Sequence, residues 1–171
     1  MDNDALLGLA SQLGAALKAR NHTLAMAESC TGGMASQYIT AIAGSSTWFD
    51  RGFITYSNQA KIDMLDVSES TLETYGAVSE QIAAEMAMGA LINSQASIAS
   101  SITGIAGPDG GTQNKPVGTV CFAFAFKNHT KHVSETIRHT QYFDGDRDAV
   151  RKQSVEYTLK QLLMLTLTSE L

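Results

Sequence analysis

The sequence predicts an α/β fold: a single domain, residues 1–171, built as three layers, α/β/α, around a mixed sheet. Three observations carry that reading. Short runs rich in β-branched, aromatic or apolar residues alternate with longer stretches whose apolar residues recur at helical spacing. Several short runs are apolar at successive positions, as in strands buried on both faces. The last two runs follow one another with no helical stretch between them, so they read as an antiparallel pair beside a parallel set.

The elements follow in order. Leu6, Leu9, Leu13, Ala16 and Leu17 share one helical stripe and give a first helix of about 4 turns, ending near Arg20. Residues 23–28 read as a buried strand, and residues 33–43 as a helix stopped by Gly44. Residues 48–56 are aromatic and β-branched, a second strand. Two short helices follow, over 59–65 and 70–75. Ser79 is an N-cap for an Ala- and Met-rich helix over 80–93. Residues 98–103 form a buried strand, and the loop 104–116 is glycine-rich and holds both prolines of the chain. Residues 117–126 are a nearly continuous apolar strand, and 133–143 alternate as its antiparallel neighbour. Asp144-Gly145-Asp146 caps a final helix over 147–167.

Composition narrows the function classes. With 171 residues, 44% apolar and 17% charged, the chain has the make-up of one globular domain with a sizeable core. The net charge is -5 and no basic stripe appears, which argues against a nucleic-acid partner. No apolar run approaches the roughly 20 residues that span a bilayer, so no membrane partner is expected. The acidic start Met1-Asp2-Asn3-Asp4 does not read as a secretory signal. Cys30 and Cys121 read as reduced thiols, and a cytoplasmic location is expected. His22, His129, His132 and His139 show no metal-ligand spacing, and no metal or cofactor is expected.

Ligands of such sheets lie beyond the carboxyl ends of the strands. Three loops with unusual chemistry leave strands there: 29–33, 56–61 and 103–111. The first lies in Met26-Ala27-Glu28-Ser29-Cys30-Thr31-Gly32-Gly33, where a strand turns into a helix. Such a turn exposes a side chain and presents free N–H groups. Ser29 needs a base to act as a nucleophile, and no histidine lies in the three loops. Lys61 is the candidate base, because a lysine buried beside a pocket loses affinity for its proton. Tyr56 is placed to relay the proton or to donate to an oxyanion. The plainer alternative leaves Lys61 solvated and Tyr56 in the core.

Cys30 is the rival nucleophile, or else a small buried residue at the helix start. Cys121 reads as core. The glycine loop around Gly104, Gly107 and Gly110 lacks the Gly-Lys-Ser/Thr ending of a P-loop and the spacing of a dinucleotide fingerprint. It serves either as an anion-binding backbone or as a structural turn. Arg147, in the first turn of a helix where the macrodipole favours acids, is either a phosphate ligand or the partner of Asp144 or Asp148. Arg51 is a second arginine facing a cleft or an interface. The histidines read as surface or edge residues.

Taken together, several motifs resemble one family. They are Ala27-Glu28-Ser29-Cys30-Thr31-Gly32-Gly33, Gly44-Ser45-Ser46, Arg51-Gly52-Phe53-Ile54-Thr55-Tyr56-Ser57-Asn58, Gly76-Ala77-Val78-Ser79, Thr103-Gly104-Ile105-Ala106-Gly107-Pro108-Asp109-Gly110-Gly111, Lys115-Pro116-Val117-Gly118-Thr119-Val120, and Phe143 with Gly145-Asp146-Arg147. Their order and spacing resemble the C-terminal domain of the CinA family, the competence/damage-inducible proteins, and within it the stand-alone nicotinamide-nucleotide amidases. The resemblance covers nearly the whole chain. It implies an α/β fold, a homodimer, no metal, and hydrolysis of the carboxamide of nicotinamide mononucleotide (NMN) in pyridine nucleotide recycling.

By position, the resemblance makes Ser29 the nucleophile, with Tyr56 and Lys61 as activating partners. It assigns Cys30, Thr31, Gly32 and Gly33 to substrate or oxyanion binding, Thr103 and Gly104 to the pocket wall, and Arg147 to the phosphate. Two other readings compete. One is a non-catalytic nucleotide-binding or regulatory module linked to competence or DNA damage. The other is a different amidase or a metal-dependent nucleotide pyrophosphatase, for which Asp144, Asp146 and Asp148 would have to converge on an ion.

Overall fold

The computed structural model describes residues 3–127 and 134–168. His129, His132 and the predicted strand start at Val133 lie outside them. The elements run α1 Asn3–Ala19, β1 Leu24–Glu28, α2 Met34–Thr40, a 3-10 turn Ser45–Thr47, β2 Phe49–Ile54, α3 Asn58–Leu65, α4 Glu69–Tyr75, α5 Glu80–Ile92, β3 Ile98–Gly104, β4 Thr119–Lys127, β5 Ser134–Tyr142 and α6 Arg147–Thr168. This is the predicted order, in the predicted α/β class.

The five strands stand in the order β2-β1-β3-β4-β5. β1 pairs parallel with both β2 and β3, while β3–β4 and β4–β5 are antiparallel. The alternation of side chains builds a separate core on each face. Leu24 and Met26 of β1, Ile98 and Ile102 of β3, and Val120, Phe122, Phe124 and Phe126 of β4 pack against α1, α2 and α6. Ala25 and Ala27, Ala99, and Cys121, Ala123 and Ala125 face α5.

The two cores differ in residue size. The large face of β4 is filled by the leucine stripe of α1 and by Val155, Leu159 and Leu162 of α6. The small face meets Ala83, Ala87 and Ala90 of α5, so that helix sits close to the sheet. Close approach also marks its other side: a Cβ on Gly89 would lie 2.0 Å from the Leu65 carbonyl oxygen. Ser79 caps α5 as predicted, its hydroxyl accepting from the Ile82 N–H. Leu6, Leu13 and Leu17 of α1 and Met86 of α5 are fully buried in the core.

The element ends show where local pattern gave way to packing. The second strand is shorter than the predicted 48–56 because Trp48 leaves it to join the core with α1. β2 forms one edge of the sheet, and its residues are half-buried or exposed. The path from β1 to β2 goes to one side of β1, and the path onward to β3 returns to the other. The chain therefore separates at the carboxyl ends of β1 and β3, the point where ligands bind in open α/β sheets.

Candidate active site

Ser29 follows β1 directly at that point. Its N–H donates to the Ile102 carbonyl at 2.9 Å, which continues the β1–β3 pairing one residue into the turn. Lys61 arrives from the other side of the sheet edge. Ser57 caps α3 by accepting from the Ala60 N–H, and Lys61 lies in the helix's first turn. Its side chain runs inward and is 1% exposed. Lys61 Nζ donates to Ser29 Oγ at 3.1 Å and to the Thr55 carbonyl at 3.0 Å. Burial lowers the Lys61 pKa below the ordinary lysine value, with the neighbouring Cys30 opposing. The alternative of a solvated Lys61 is thereby overturned.

The residue before the serine, which the sequence reading passed over, is the most heavily bonded group of the turn. Glu28 is fully buried. Its Oε2 accepts from Thr31 Oγ1 at 2.7 Å and from the N–H groups of Gly33 and Ala35, both at 3.1 Å. Its Oε1 accepts from the Ser36 N–H and Ser36 Oγ, both at 2.8 Å. The signal was present in the sequence: a carboxylate closing an apolar strand, followed by hydroxyl residues at 31 and 36.

These bonds correct one expectation. Thr31, Gly32 and Gly33 do not present their amides as a set to a ligand. The Gly32 N–H donates to the Ser29 carbonyl at 3.0 Å, and the Gly33 N–H is held by Glu28. Thr31 is fully buried, its hydroxyl also on Glu28. The N–H groups of Cys30 and Thr31 have no backbone carbonyl partner among the described residues, and the Cys30 N–H lies against its own thiol. Of the four residues from 30 to 33, Cys30 alone lines the cavity. Its thiol, drawn into the core beside α2 and α6, has its pKa pushed up to about 12, mainly by burial. Such a thiol is protonated and a poor rival to Ser29. Cys121 is core, as expected.

Ser29, Lys61, Tyr56, Thr103, Gly104 and Arg147 all line one cavity of about 280 Å³. Thr103 is buried and its hydroxyl donates to the Ala77 carbonyl, tying β3 to the loop before α5. Gly104 is where β3 and β4 close up: a Cβ there would meet Val120 Cγ2 at 2.7 Å and the Thr119 carbonyl oxygen at 2.9 Å. Asn58 and Asp109 also line the cavity, two polar residues the sequence reading did not single out.

Tyr56 and Arg147 form the mouth. Tyr56 is 60% exposed, so the alternative of a core tyrosine falls. Its hydroxyl accepts from Arg147 Nη2 at 2.8 Å, and Arg147 Nη1 donates to the Gly107 carbonyl at 2.8 Å. The structure thus joins Tyr56 to Arg147, not to Ser29 or Lys61. The ion pairs considered for Arg147 do not form: Asp148 takes Lys152 at 2.8 Å, and Asp146 caps α6 through the Ala149 N–H. Arg51 lies on the β2 edge, bonded to Asp50 and the Asn93 carbonyl, outside the cavity wall. His22 bonds Ser97, and His139 bonds Tyr157. Among the described residues, no three His, Cys, Asp or Glu side chains converge as metal ligands, Asp144, Asp146 and Asp148 included. Nor is any described helix long and apolar enough to cross a membrane.

The chain is similar to known proteins over most of its length. The family profile described as the CinA C-terminal domain matches residues 7–166. The nicotinamide-nucleotide amidohydrolase PncC of Escherichia coli (strain K12) is 54% identical over 162 residues, 95% of each chain. A putative competence-damage inducible protein of Symbiobacterium thermophilum is 47% identical over 154 residues, which are 88% of this chain and 36% of that longer protein. The crystal structure of the competence/damage inducible protein CihA from Agrobacterium tumefaciens superposes with a TM-score of 0.88 at 42% identity, covering 94% of this chain and 95% of that one.

Proposed function

The chain belongs to the CinA C-terminal domain family, and from that premise we propose that it is a nicotinamide-nucleotide amidase. It hydrolyses the carboxamide of NMN to nicotinate mononucleotide and ammonia, in pyridine nucleotide recycling. The observation that carries the reading is the buried Lys61 Nζ at 3.1 Å from Ser29 Oγ. A binding module has no need of a desolvated amine beside a hydroxyl. An acyl-transfer enzyme without a histidine does.

Neutral Lys61 accepts the Ser29 proton as Oγ attacks the carboxamide carbon. The oxyanion is met by the N–H of Cys30, the residue after the nucleophile, which no backbone carbonyl takes up. Lys61 returns its proton to the departing ammonia. Water, activated by the same amine, then cleaves the acyl-enzyme. Thr103 and Gly104 form the wall against which the pyridine ring lies. Arg147 takes the phosphate with its two-pronged guanidinium, exchanging its present bonds to Tyr56 and Gly107. Tyr56 serves the chemistry as a relay only once Arg147 has released it. The same reading takes the enzyme to be a cytoplasmic homodimer, which the family resemblance supports and sedimentation of the purified protein tests.

The deciding experiment is ammonia release from NMN, with a chelator present, by the wild type and by Ser29→Ala. Release that the variant abolishes supports a metal-independent serine amidase. Absence of release by a wild type that still binds NMN would replace the enzyme by a nucleotide-binding module.

A further inference from the structure

The Glu28 carboxylate takes no part in the steps above, yet it gathers five hydrogen bonds from four residues. A helix start needs only a Ser, Thr, Asp or Asn cap at the surface. A fully buried carboxylate is costly unless every lone pair is used, and here both oxygens are shared among several donors. The backbone of the same residue reaches the base. The Glu28 carbonyl accepts from the Thr55 N–H at 2.8 Å, and the Thr55 carbonyl holds Lys61 Nζ. Residue 28 is therefore bonded directly to the nucleophile and, through one peptide unit, to the anchor of its base.

Resting on the amidase reading, we propose that Glu28 is the positioning residue that makes Ser29, and not Cys30, the nucleophile. Its side chain locks the turn so that Ser29 Oγ faces Lys61. It also occupies the N–H groups of Gly33, Ala35 and Ser36, which would otherwise be available to stabilise negative charge at this turn. A thiol becomes a thiolate where amide donors or cations surround it. Next to Glu28, Cys30 keeps only its own backbone N–H as an amide donor: burial, first, and the Glu28 charge oppose its ionisation, against that N–H, Arg151 and Arg147. The arrangement keeps an intrinsically stronger nucleophile silent one residue from the reacting serine.

The test is Glu28→Gln, which keeps the shape, removes the charge and turns an NH₂ group toward N–H donors. Two quantities are read: kcat and KM for NMN, and the rate at which iodoacetamide alkylates Cys30, located by peptide mass. The expected result is a kcat loss of about 100-fold with KM changed by less than about threefold, because the nucleophile is misplaced while the ligand wall stands. Cys30 alkylation rises about tenfold or more. A folded Glu28→Gln protein with wild-type kcat, or with unchanged Cys30 alkylation, overturns the proposal. If that variant fails to fold, Ser36→Ala removes one hydroxyl donor and leaves the carboxylate. It should lower kcat roughly threefold or more and speed alkylation in parallel, and no change in either overturns the proposal. The alkylation contrast needs no turnover. A wild type inactive on NMN would refute the amidase reading, while the alkylation rates would still decide whether Glu28 restrains Cys30.

Discussion

Lys61 Nζ and Ser29 Oγ lie 3.1 Å apart across 32 positions of sequence, on two residues that are both buried at the floor of the cavity. Among the described residues the amine has two acceptors, Ser29 Oγ and the Thr55 carbonyl, and no carboxylate. That partner set favours a neutral amine, because nothing of opposite charge compensates for burial.

Ser29→Ala should remove turnover while leaving the cavity intact. The expected loss in kcat is at least about 10⁴-fold, with the NMN dissociation constant within about threefold of wild type. Single-turnover ammonia assays and calorimetric titration check the two halves separately.

Lys61→Met should abolish turnover and stabilise the fold. Burial costs the lysine part of its protonation, so the folded chain binds that proton less tightly than the unfolded chain. Between the folded pKa and the higher unfolded one the unfolded state carries more protons, and stability rises with pH. Methionine removes that slope together with the desolvation cost, raising stability at neutral pH by about 1 kcal/mol or more. Denaturant titrations at two pH values read it. In the wild type, the rise of kcat/KM with pH should have its midpoint below the ordinary lysine value of about 10.5.

Arg147→Ala should raise KM for NMN by roughly 10- to 100-fold, the worth of a charge-assisted bond to phosphate, and lower kcat by less. Tyr56→Phe removes only the contact to Arg147 seen here. A KM effect without a change in the pH profile would place Tyr56 with substrate binding. A displaced pH profile would make it the relay.

Cys30→Ala should keep kcat within about threefold of wild type, since its thiol is held protonated by burial. Loss of turnover comparable to that of Ser29→Ala would exchange the two roles.

Gly89→Ala tests the tight side of the fold. The added methyl would sit 2.0 Å from the Leu65 carbonyl oxygen and 2.8 Å from its carbon, backbone atoms that cannot turn aside. A loss of about 1–3 kcal/mol is expected from overpacking, seen as a lower melting temperature with unchanged KM.

The α/β class, the order of the elements, the apolar run that becomes β4 and the turn that carries Ser29 are all written in the sequence. Those features are local: a period of two or of 3.6, a cap, a glycine, each legible within a dozen residues. The remaining features arise from contacts between segments far apart in the chain. That Lys61 is buried on Ser29 depends on α3 leaving β2 beside β1, which no periodicity encodes. That Arg147 meets Tyr56 and the glycine loop, and not its neighbouring aspartates, depends on where α6 begins against β3. The part played by Glu28 rests on the same kind of long-range closure, although its residue pattern is written in the sequence. A carboxylate at the end of a strand shows its value only when the following turn folds back and delivers its donors to it.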